Sequence, residues 1–393
     1  MAHIAFLGAA LALGVALSSA VPARAAPAQV SAADPAVHSA IAKAVEKERR
    51  AFGGLTPVPG VLIGVWDGKG GAYVHAFGQA DLATGRPLTF DDHFRIGSNT
   101  KTFVISVLLQ LVDEGKLSLD DPLSRFSLGV TIPGAAHITV RELCQMRSGL
   151  FEGYDTPEFE RLAMKPGTTV GPRTIVGWAV KQKPYFAPGA AFNYSNTNYL
   201  ILGLIVESLT GDTVADQIDK RLLRPFKLTH TSYPATQAMP EPWAHGYELD
   251  KHGAWKDVSG TIPVSLMGTA GEMISDPADM KRWVALYVEG KTNGAATQRA
   301  RLKCVSTGQG NRAFGLGIGC SAGWYGYTGG LPGYNTSNYY FPATGATIVA
   351  WVTLQRDAPA PGVSVSIFRD IAKIMTPANI PFVLTASSAP QAR

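Results

Sequence analysis

The sequence predicts an α+β fold, an α/β-type sandwich in which both ends of the chain build one antiparallel sheet flanked by helices. Strand-like segments lie at both ends, "GVLIGVWDGKGGAYVHAFGQAD" early and "GWYGYTGGLPGYNTSNYYF" and "GATIVAWVTL" late. Helical periodicity dominates from 97 to about 230. We therefore expect a sheet domain from 37–96 and 300–380, and an inserted, mainly helical domain over 97–299.

The first 25 residues resemble a cleaved secretory signal. An apolar stretch runs from Ile4 to Leu17, and small residues follow up to Ala25. No Lys or Arg precedes that stretch, so a membrane anchor is the alternative, but the stretch is too short to span a bilayer. We expect an exported protein, periplasmic or secreted, with a leader over 26–36, a disordered tail over 381–393 and no stable membrane span.

The other elements follow in chain order. "SAIAKAVEKERRAF" predicts a helix, and the two early strands are joined by a glycine-rich turn around Asp67 to Gly71. "YLILGLIVESLTG" predicts a second helix that stops at Gly211, and "SVSIFRDIAKIM" predicts a helix that closes the ordered chain.

Charge and cysteine content exclude several classes of function. The formal charge of +5 becomes 5 − 1 = +4 once Arg24 leaves with the signal, and no basic run is interleaved with aromatics, so a nucleic-acid partner is not expected. The eight histidines are scattered, without the spacing of a metal site. Cys304 and Cys320 could close a short loop, whereas Cys144 is expected to be a buried free thiol.

A serine and a lysine lie three residues apart in "RIGSNTKTFVISVLLQLVDEGK". The apolar residues that follow predict a buried helix between Gly97 and Gly115, so Ser98 should lie in its first turn, where backbone N–H groups are unpaired. Residues three apart share a helix face, so the Lys101 amine can reach the Ser98 hydroxyl. A serine hydroxyl becomes a good nucleophile when such a neighbour takes its proton. By itself the motif is weak, and a helix cap beside a solvated lysine explains it better.

Two further segments strengthen the catalytic interpretation. "FNYSNTNYL" contains Tyr194 and Asn196 in a Y-x-N pattern, and "YGYTGGLPGY" contains Tyr327, Thr328 and Gly329 on a predicted strand. With S-x-x-K they form, in order, the three-part pattern of the serine penicillin-recognising enzymes. Over residues 37–375 the chain resembles the branch with class C β-lactamases, D-alanyl-D-alanine carboxypeptidases, D-amino-acid peptidases and related esterases.

The resemblance implies a β-lactamase/transpeptidase-like fold with the site between the helical domain and the sheet. It implies that Ser98 is the nucleophile and that Lys101 and Tyr194 transfer its proton. The backbone N–H groups of Ser98 and Gly330 would form an oxyanion hole, where each donor contributes about 10²–10³ in rate.

The resemblance also implies a set of substrate-binding residues: Asn196, Tyr327, Thr328 and Gly329. The third motif departs from the family pattern, because Tyr327 stands where relatives carry Lys or His. A phenol is neutral near pH 7, so it cannot supply the positive charge that orients a substrate carboxylate. This departure weakens a strict carboxypeptidase assignment and favours an esterase or amidase.

One competing motif can be excluded. "GCSAG" at 319–323 matches the nucleophile elbow of α/β-hydrolases around Ser321, but that fold needs a catalytic histidine later in the chain. No histidine follows His252, and the downstream sequence is strand-like.

The sequence therefore predicts an exported serine hydrolase with an acyl-enzyme on Ser98, most similar to D-alanyl-D-alanine carboxypeptidases, D-peptidases or β-lactamases. An esterase or amidase of the same family is one alternative, and a catalytically silent penicillin-binding-like protein is another. The expected partner is a small molecule or peptide: a D-amino-acid peptide, a β-lactam or an ester. No metal or organic cofactor is expected. The natural substrate and the oligomeric state stay open.

Overall fold

The computed structural model describes residues 30–163, 165, 168–261, 263–355 and 362–383. The predicted signal at 1–25 lies outside the described residues, as do 26–29 of the leader and 384–393 of the predicted tail.

The helices follow the predicted periodicity. "SAIAKAVEKERRAF" lies within the first helix, and the apolar run after Lys101 forms the second. They are α1 (Pro35–Phe52), α2 (Thr100–Asp113), α3 (Val140–Cys144), α4 (Pro157–Ala163), α5 (Pro172–Ala179), α6 (Thr197–Thr210), α7 (Val214–Ile218), α8 (Arg224–Phe226), α9 (Pro277–Val288), α10 (Ala295–Arg301) and α11 (Val363–Met375). Gly211 ends α6 in the left-handed conformation, at φ 72°, as the sequence predicts.

The strands concentrate at the two ends of the described chain. They are β1 (Gly60–Trp66), β2 (Ala72–Asp81), β3 (Arg86–Pro87), β4 (Phe94–Arg95), β5 (Tyr247–Leu249), β6 (Trp255–Asp257), β7 (Ile274–Ser275), β8 (Val305–Ser306), β9 (Arg312–Phe314), β10 (Gly319–Ser321), β11 (Trp324–Leu331), β12 (Tyr334–Phe341) and β13 (Ala346–Val352).

Within the described residues, one sheet has nine strands, in the order β3-β2-β1-β13-β12-β11-β10-β9-β8, and its pairs are antiparallel. The two chain ends meet where β1 pairs with β13, with Ile63 opposite Ala350. This arrangement confirms the predicted fold class. Both strands are buried along nearly their full length, because helices cover both faces of the sheet.

The two faces of the sheet carry two apolar cores. Helices α1 and α11 pack together on one face, with Ile41 and Phe368 in the core between them and the sheet. The larger core joins the other face to α2 and α6 and includes Phe103 stacked on Trp283 at 4.0 Å. Helix α9 packs directly against β12 and β13. The predicted domain boundary at residue 299 stays a prediction. Among the described helices, none is long and apolar enough to cross a membrane.

Candidate active site

The predicted nucleophile lies at the junction between the sheet and the helical region. Ser98 is in a single 3₁₀ turn, Gly97–Asn99, that leads directly into α2, one turn earlier than the sequence prediction placed it. Gly97 adopts φ +51°, a conformation that glycine tolerates best. The first ten residues of α2 are buried, so the apolar periodicity of this helix anchors the turn firmly.

Lys101 is fully buried, and its amine contacts Ser98. Its Nζ lies 2.9 Å from Ser98 Oγ, 2.7 Å from Asn196 Oδ1 and 2.6 Å from the carbonyl oxygen of Ala270. An ammonium has three N–H donors, so each of them finds an acceptor here. The distance to Oγ is short enough for direct proton transfer between the amine and the hydroxyl.

Tyr194 lies beside this amine. Its ring centroid is 5.2 Å from Lys101 Nζ, and the Tyr199 ring is 5.5 Å away on another side. Tyr194 is 39% exposed, so an incoming substrate can reach its side chain. The structure thus brings together the serine, the lysine and the tyrosine that the sequence motifs predicted.

The third motif lies on β11, against the turn that carries Ser98. A Cβ placed on Gly97 would lie 2.8 Å from the Gly330 nitrogen, and one on Gly329 would collide with the Ile96 carbonyl oxygen. Glycine at these positions lets two backbones approach without side chains between them. Gly330 is exposed beside Ser98, as an oxyanion-hole donor must be, and Thr328 is half-buried on the same strand.

The outer edge of β11 is open next to the site. Strand β10 pairs only with Trp324 to Gly326, so among the described residues no strand pairs with the segment 327–331 on that side. An unpaired strand edge can accept an extended peptide as an additional strand.

Tyr327 replaces the basic residue of the family pattern, and its hydroxyl is buried without a hydrogen-bond partner of ordinary geometry among the described residues. Burial, and then the neighbouring Tyr194, raise the pKa of Tyr327 well above its usual value. The side chain is therefore neutral at physiological pH, as expected for a phenol.

Sequence reasoning missed Glu152, which positions Asn196. Glu152 Oε2 accepts hydrogen bonds from the Asn196 backbone nitrogen at 2.6 Å and from Asn196 Nδ2 at 3.1 Å. This orientation leaves Asn196 Oδ1 for the Lys101 amine. Burial raises the pKa of Glu152, while hydrogen bonds from backbone N–H groups and the Lys101 charge oppose that rise. The sequence shows Glu152 only as one acidic residue in "GLFEGYD", with no spacing that marks it.

The segment 268–272 was also missed. Strand β7 pairs with β4, with Ile274 opposite Arg95, so the residues just before β7 lie beneath the Ser98 turn. The Ala270 carbonyl therefore reaches Lys101. Glu272 is buried in the same segment, and burial raises the pKa of Glu272 to about 7 in spite of Tyr233 and Arg95 nearby.

The remaining sequence candidates lie elsewhere. Cys304 and Cys320 form a disulfide, and Cys144 is a fully buried free thiol whose pKa burial raises to about 12. Ser321 lies on β10, not at a strand-to-helix turn, and its hydroxyl is 2.9 Å from Asn311 Oδ1. In the part of the chain that the structure describes, no group of three or more acidic, His or Cys residues could hold a metal ion.

Comparison with known proteins matches this architecture. A family model described as Beta-lactamase matches residues 47–365. The chain belongs to the beta-lactamase family. A Bacillus subtilis protein named for penicillin binding is 25% identical to this family member over 289 residues, which cover 72% of this chain and 67% of that protein. Related Staphylococcus aureus proteins are longer, and the match covers 38% of their length.

Two solved structures are close in fold to this beta-lactamase-family chain. A D-stereospecific amidohydrolase from Streptomyces sp. is 31% identical with a TM-score of 0.71, over 81% of this chain and 94% of that one. A D-amino acid amidase from Ochrobactrum anthropi SV3, solved with D-phenylalanine, is 23% identical with a TM-score of 0.76, over 86% and 98% of the two chains. The second likeness shows the fold alone.

The buried Glu272 gives the protein a pH-dependent stability. Its pKa in the folded state is about 7, above the ordinary 4.5, so the folded state binds the proton more tightly. The free energy of unfolding should therefore fall as pH rises from 5 to 8, by about 2.5 kcal/mol from this group. Glu272→Gln removes the titration. Relative to wild type, its free energy of unfolding should therefore rise by this amount between pH 5 and pH 8, as measured by denaturant unfolding.

The exposed Glu160 provides a matched control, and Glu160→Gln should follow wild type at both pH values. If Glu272→Gln also follows wild type at both, the carboxyl group does not titrate in this range.

Proposed function

We propose that this beta-lactamase-family protein is an exported serine hydrolase that forms an acyl-enzyme on Ser98 and acts on D-amino-acid amides and peptides. The observation that carries the chemistry is the 2.9 Å separation between Lys101 Nζ and Ser98 Oγ in a buried setting. Export rests on the apolar stretch from Ile4 to Leu17 and the small residues after it.

The first half-reaction transfers one proton and forms one bond. Lys101 and Tyr194 act as a pair that takes the proton from Ser98 Oγ as Oγ attacks the substrate carbonyl carbon. The negative charge on the carbonyl oxygen is stabilised by the N–H groups of Ser98 and Gly330. The intermediate collapses when the bond to the departing amine breaks, and Tyr194 returns a proton to that nitrogen.

The second half-reaction uses water in place of the amine. Water attacks the ester carbonyl while the lysine–tyrosine pair takes its proton, and Ser98 recovers its own proton as the acid leaves. Asn196, held by Glu152, is placed to hydrogen-bond the substrate amide because it lies next to Lys101.

Two features support the proposed substrates, the first for the D configuration and the second for an amide or peptide backbone. The Streptomyces structure, described as a D-stereospecific amidohydrolase, is 31% identical over most of both chains. The open edge of β11 beside the nucleophile suits an extended amide or peptide backbone.

An esterase is the second candidate, and Tyr327 favours it. Its buried, neutral phenol gives no charge for a carboxylate next to the scissile bond, so a neutral ester meets no disadvantage there. A silent binding protein is the least supported candidate, because the contacts of Lys101 with Ser98 and Asn196 are those that acyl transfer needs.

A substrate panel separates these candidates. We expect the purified protein to hydrolyse D-phenylalanine amide faster than L-phenylalanine amide, and to gain a phosphonate adduct in intact-mass spectra. Ser98→Ala should lose both the turnover and the adduct, whereas Ser321→Ala should keep the adduct. Turnover of a p-nitrophenyl ester alone would favour the esterase, and neither turnover nor adduct would favour the silent protein.

The role of Tyr194 can be tested through the leaving group. Tyr194→Phe keeps the ring but removes the hydroxyl, so amide turnover should fall by about 10²–10⁴ because the departing nitrogen needs a proton. A p-nitrophenolate leaves without one, so single-turnover acylation by a p-nitrophenyl ester, which excludes the water step, should slow less. Equal losses on both substrates would contradict proton delivery by Tyr194.

A further inference from the structure

A cavity adjoins the proposed site. It has a volume of about 390 Å³, within the range of small-molecule sites, and Tyr194 and Thr328 contribute to its wall. Beyond these two residues the wall is largely aromatic, with Phe192, Phe314, Tyr339 and Phe382. A group that extends from the nucleophile past Thr328 would enter this space.

Arg312 is the charged residue in the wall of this cavity, and the described residues offer it no anion. None of its guanidinium nitrogens has a hydrogen-bond or ion-pair partner there, and Nε is completely buried. The guanidinium does contact the Phe382 ring, with a distance of 5.1 Å from Cζ to the ring centroid. Arginine stays charged in proteins, and a part-buried charge without a counter-ion is costly.

The electrostatic surroundings leave Arg312 available to an anion. Burial lowers the pKa of Arg312, and the positive charge of Arg369 lowers it further, while the hydroxyl of Tyr339 opposes the change. No carboxylate is among the groups that act on it. A ligand carboxylate in the cavity would make a charge-assisted pair with the guanidinium, which binds carboxylates bidentately.

The distance from the site sets the size of the ligand. Arg312 lies opposite Ser321 of β10, and Ser321 lies opposite Trp324 of β11. Thr328 lies four residues further along β11 than Trp324. Strand geometry places the Cα atoms of Arg312 and Thr328 about 13 Å apart along the strand and about 10 Å apart across the sheet, a total distance of about 16 Å. Even with the reach of an arginine side chain, one amino-acid residue is too short to bridge this distance.

A pair of glycines lies between the two points. Gly319 and Gly326 face each other where β10 and β11 begin to separate. A Cβ on Gly319 would lie 3.3 Å from the Gly326 oxygen and 3.5 Å from the Tyr339 hydroxyl. Gly319 lines the cavity and adds no side chain to its wall at this place.

We infer that this cavity binds the leaving group of the substrate, and that Arg312 pairs with the carboxylate at the end of a leaving peptide of two or more residues. The inference rests on the proposed function, because it uses Tyr194 as the group that returns the proton to the departing amine. Tyr194 lines the cavity, so the departing amine that takes a proton from Tyr194 faces the cavity. The charge that Tyr327 cannot provide next to the scissile bond is thus supplied further along the leaving group.

The reaction itself is an ordinary hydrolysis. The amide bond breaks, the acyl group passes to Ser98 Oγ and then to water, and the departing peptide gains a proton on its new amino terminus. Arg312 takes no part in the bond changes and acts on recognition alone.

The test compares two peptide substrates that differ only at the carboxyl terminus. Both carry the same D-amino acid before the scissile bond and the same dipeptide after it, one with a free carboxylate and one with a terminal amide. We expect the wild-type protein to prefer the free carboxylate by about tenfold or more in kcat/KM. Arg312→Gln should bring the ratio close to one, and Arg312→Lys should restore part of it.

Arg369→Gln is the matched control, because it removes a positive charge from nearby α11 outside the cavity wall and should keep the wild-type ratio. A wild-type ratio near one, or a ratio that Arg312→Gln leaves unchanged, would overturn the inference while Ser98-dependent turnover continued. Turnover of D-phenylalanine amide without turnover of either peptide would overturn the inference alone, whereas absence of turnover on all three substrates would remove the proposed function, and the inference with it. Thermal unfolding of each variant shows whether the fold is retained.

Discussion

The site depends on one close approach between backbones. The turn Gly97–Asn99 contacts the segment 329–330 of β11, and each side of the contact is formed by glycine. The start of a buried helix therefore lies directly against the sheet. This contact brings the Ser98 hydroxyl, supplied by the helical region, next to the Gly330 backbone, supplied by the last third of the chain. Any side chain between them would separate the proposed nucleophile from the proposed oxyanion donor.

Lys101 adds a second constraint. A buried ammonium is costly unless every donor is paired, and the acceptors here come from three distant parts of the chain: Ser98, Asn196 and Ala270. The amine therefore links α2, the start of α6 and the segment before β7. Glu152 completes the arrangement because it fixes Asn196 in the orientation that the amine requires. Chemistry and packing at this point use the same hydrogen bonds.

Much of this arrangement could be predicted from local sequence signals. The period of the apolar residues predicted α2 and α6, and the glycine-rich, aromatic texture of the last third predicted β11 to β13. The order of the three short motifs predicted which side chains would meet. The strand texture at both chain ends predicted that the two ends share one sheet, and in the structure they meet where β1 pairs with β13.

The contributions that escaped prediction arise from tertiary placement. The Ala270 carbonyl has no side-chain signature, and its position depends on the two-residue pairing of β4 with β7. Glu152 looks in sequence like any surface carboxylate, yet it is buried beside Asn196. Arg312 belongs to none of the three motifs, and its place in an aromatic cavity depends on where β10 leaves β11.

The most direct test of this account compares alanine at two glycines. Gly97 and Gly115 both have positive φ, +51° and +70°, but a Cβ meets the Gly330 nitrogen only at Gly97, whereas the space around Gly115 is open. Each substitution should cost about 1 kcal/mol of stability for the backbone conformation alone. In single-turnover acylation, Gly97→Ala should react at least about tenfold more slowly, because even a small misplacement of reacting groups is costly, and Gly115→Ala should react like wild type. Equal acylation rates in the two variants would contradict the claim that this backbone contact positions the nucleophile.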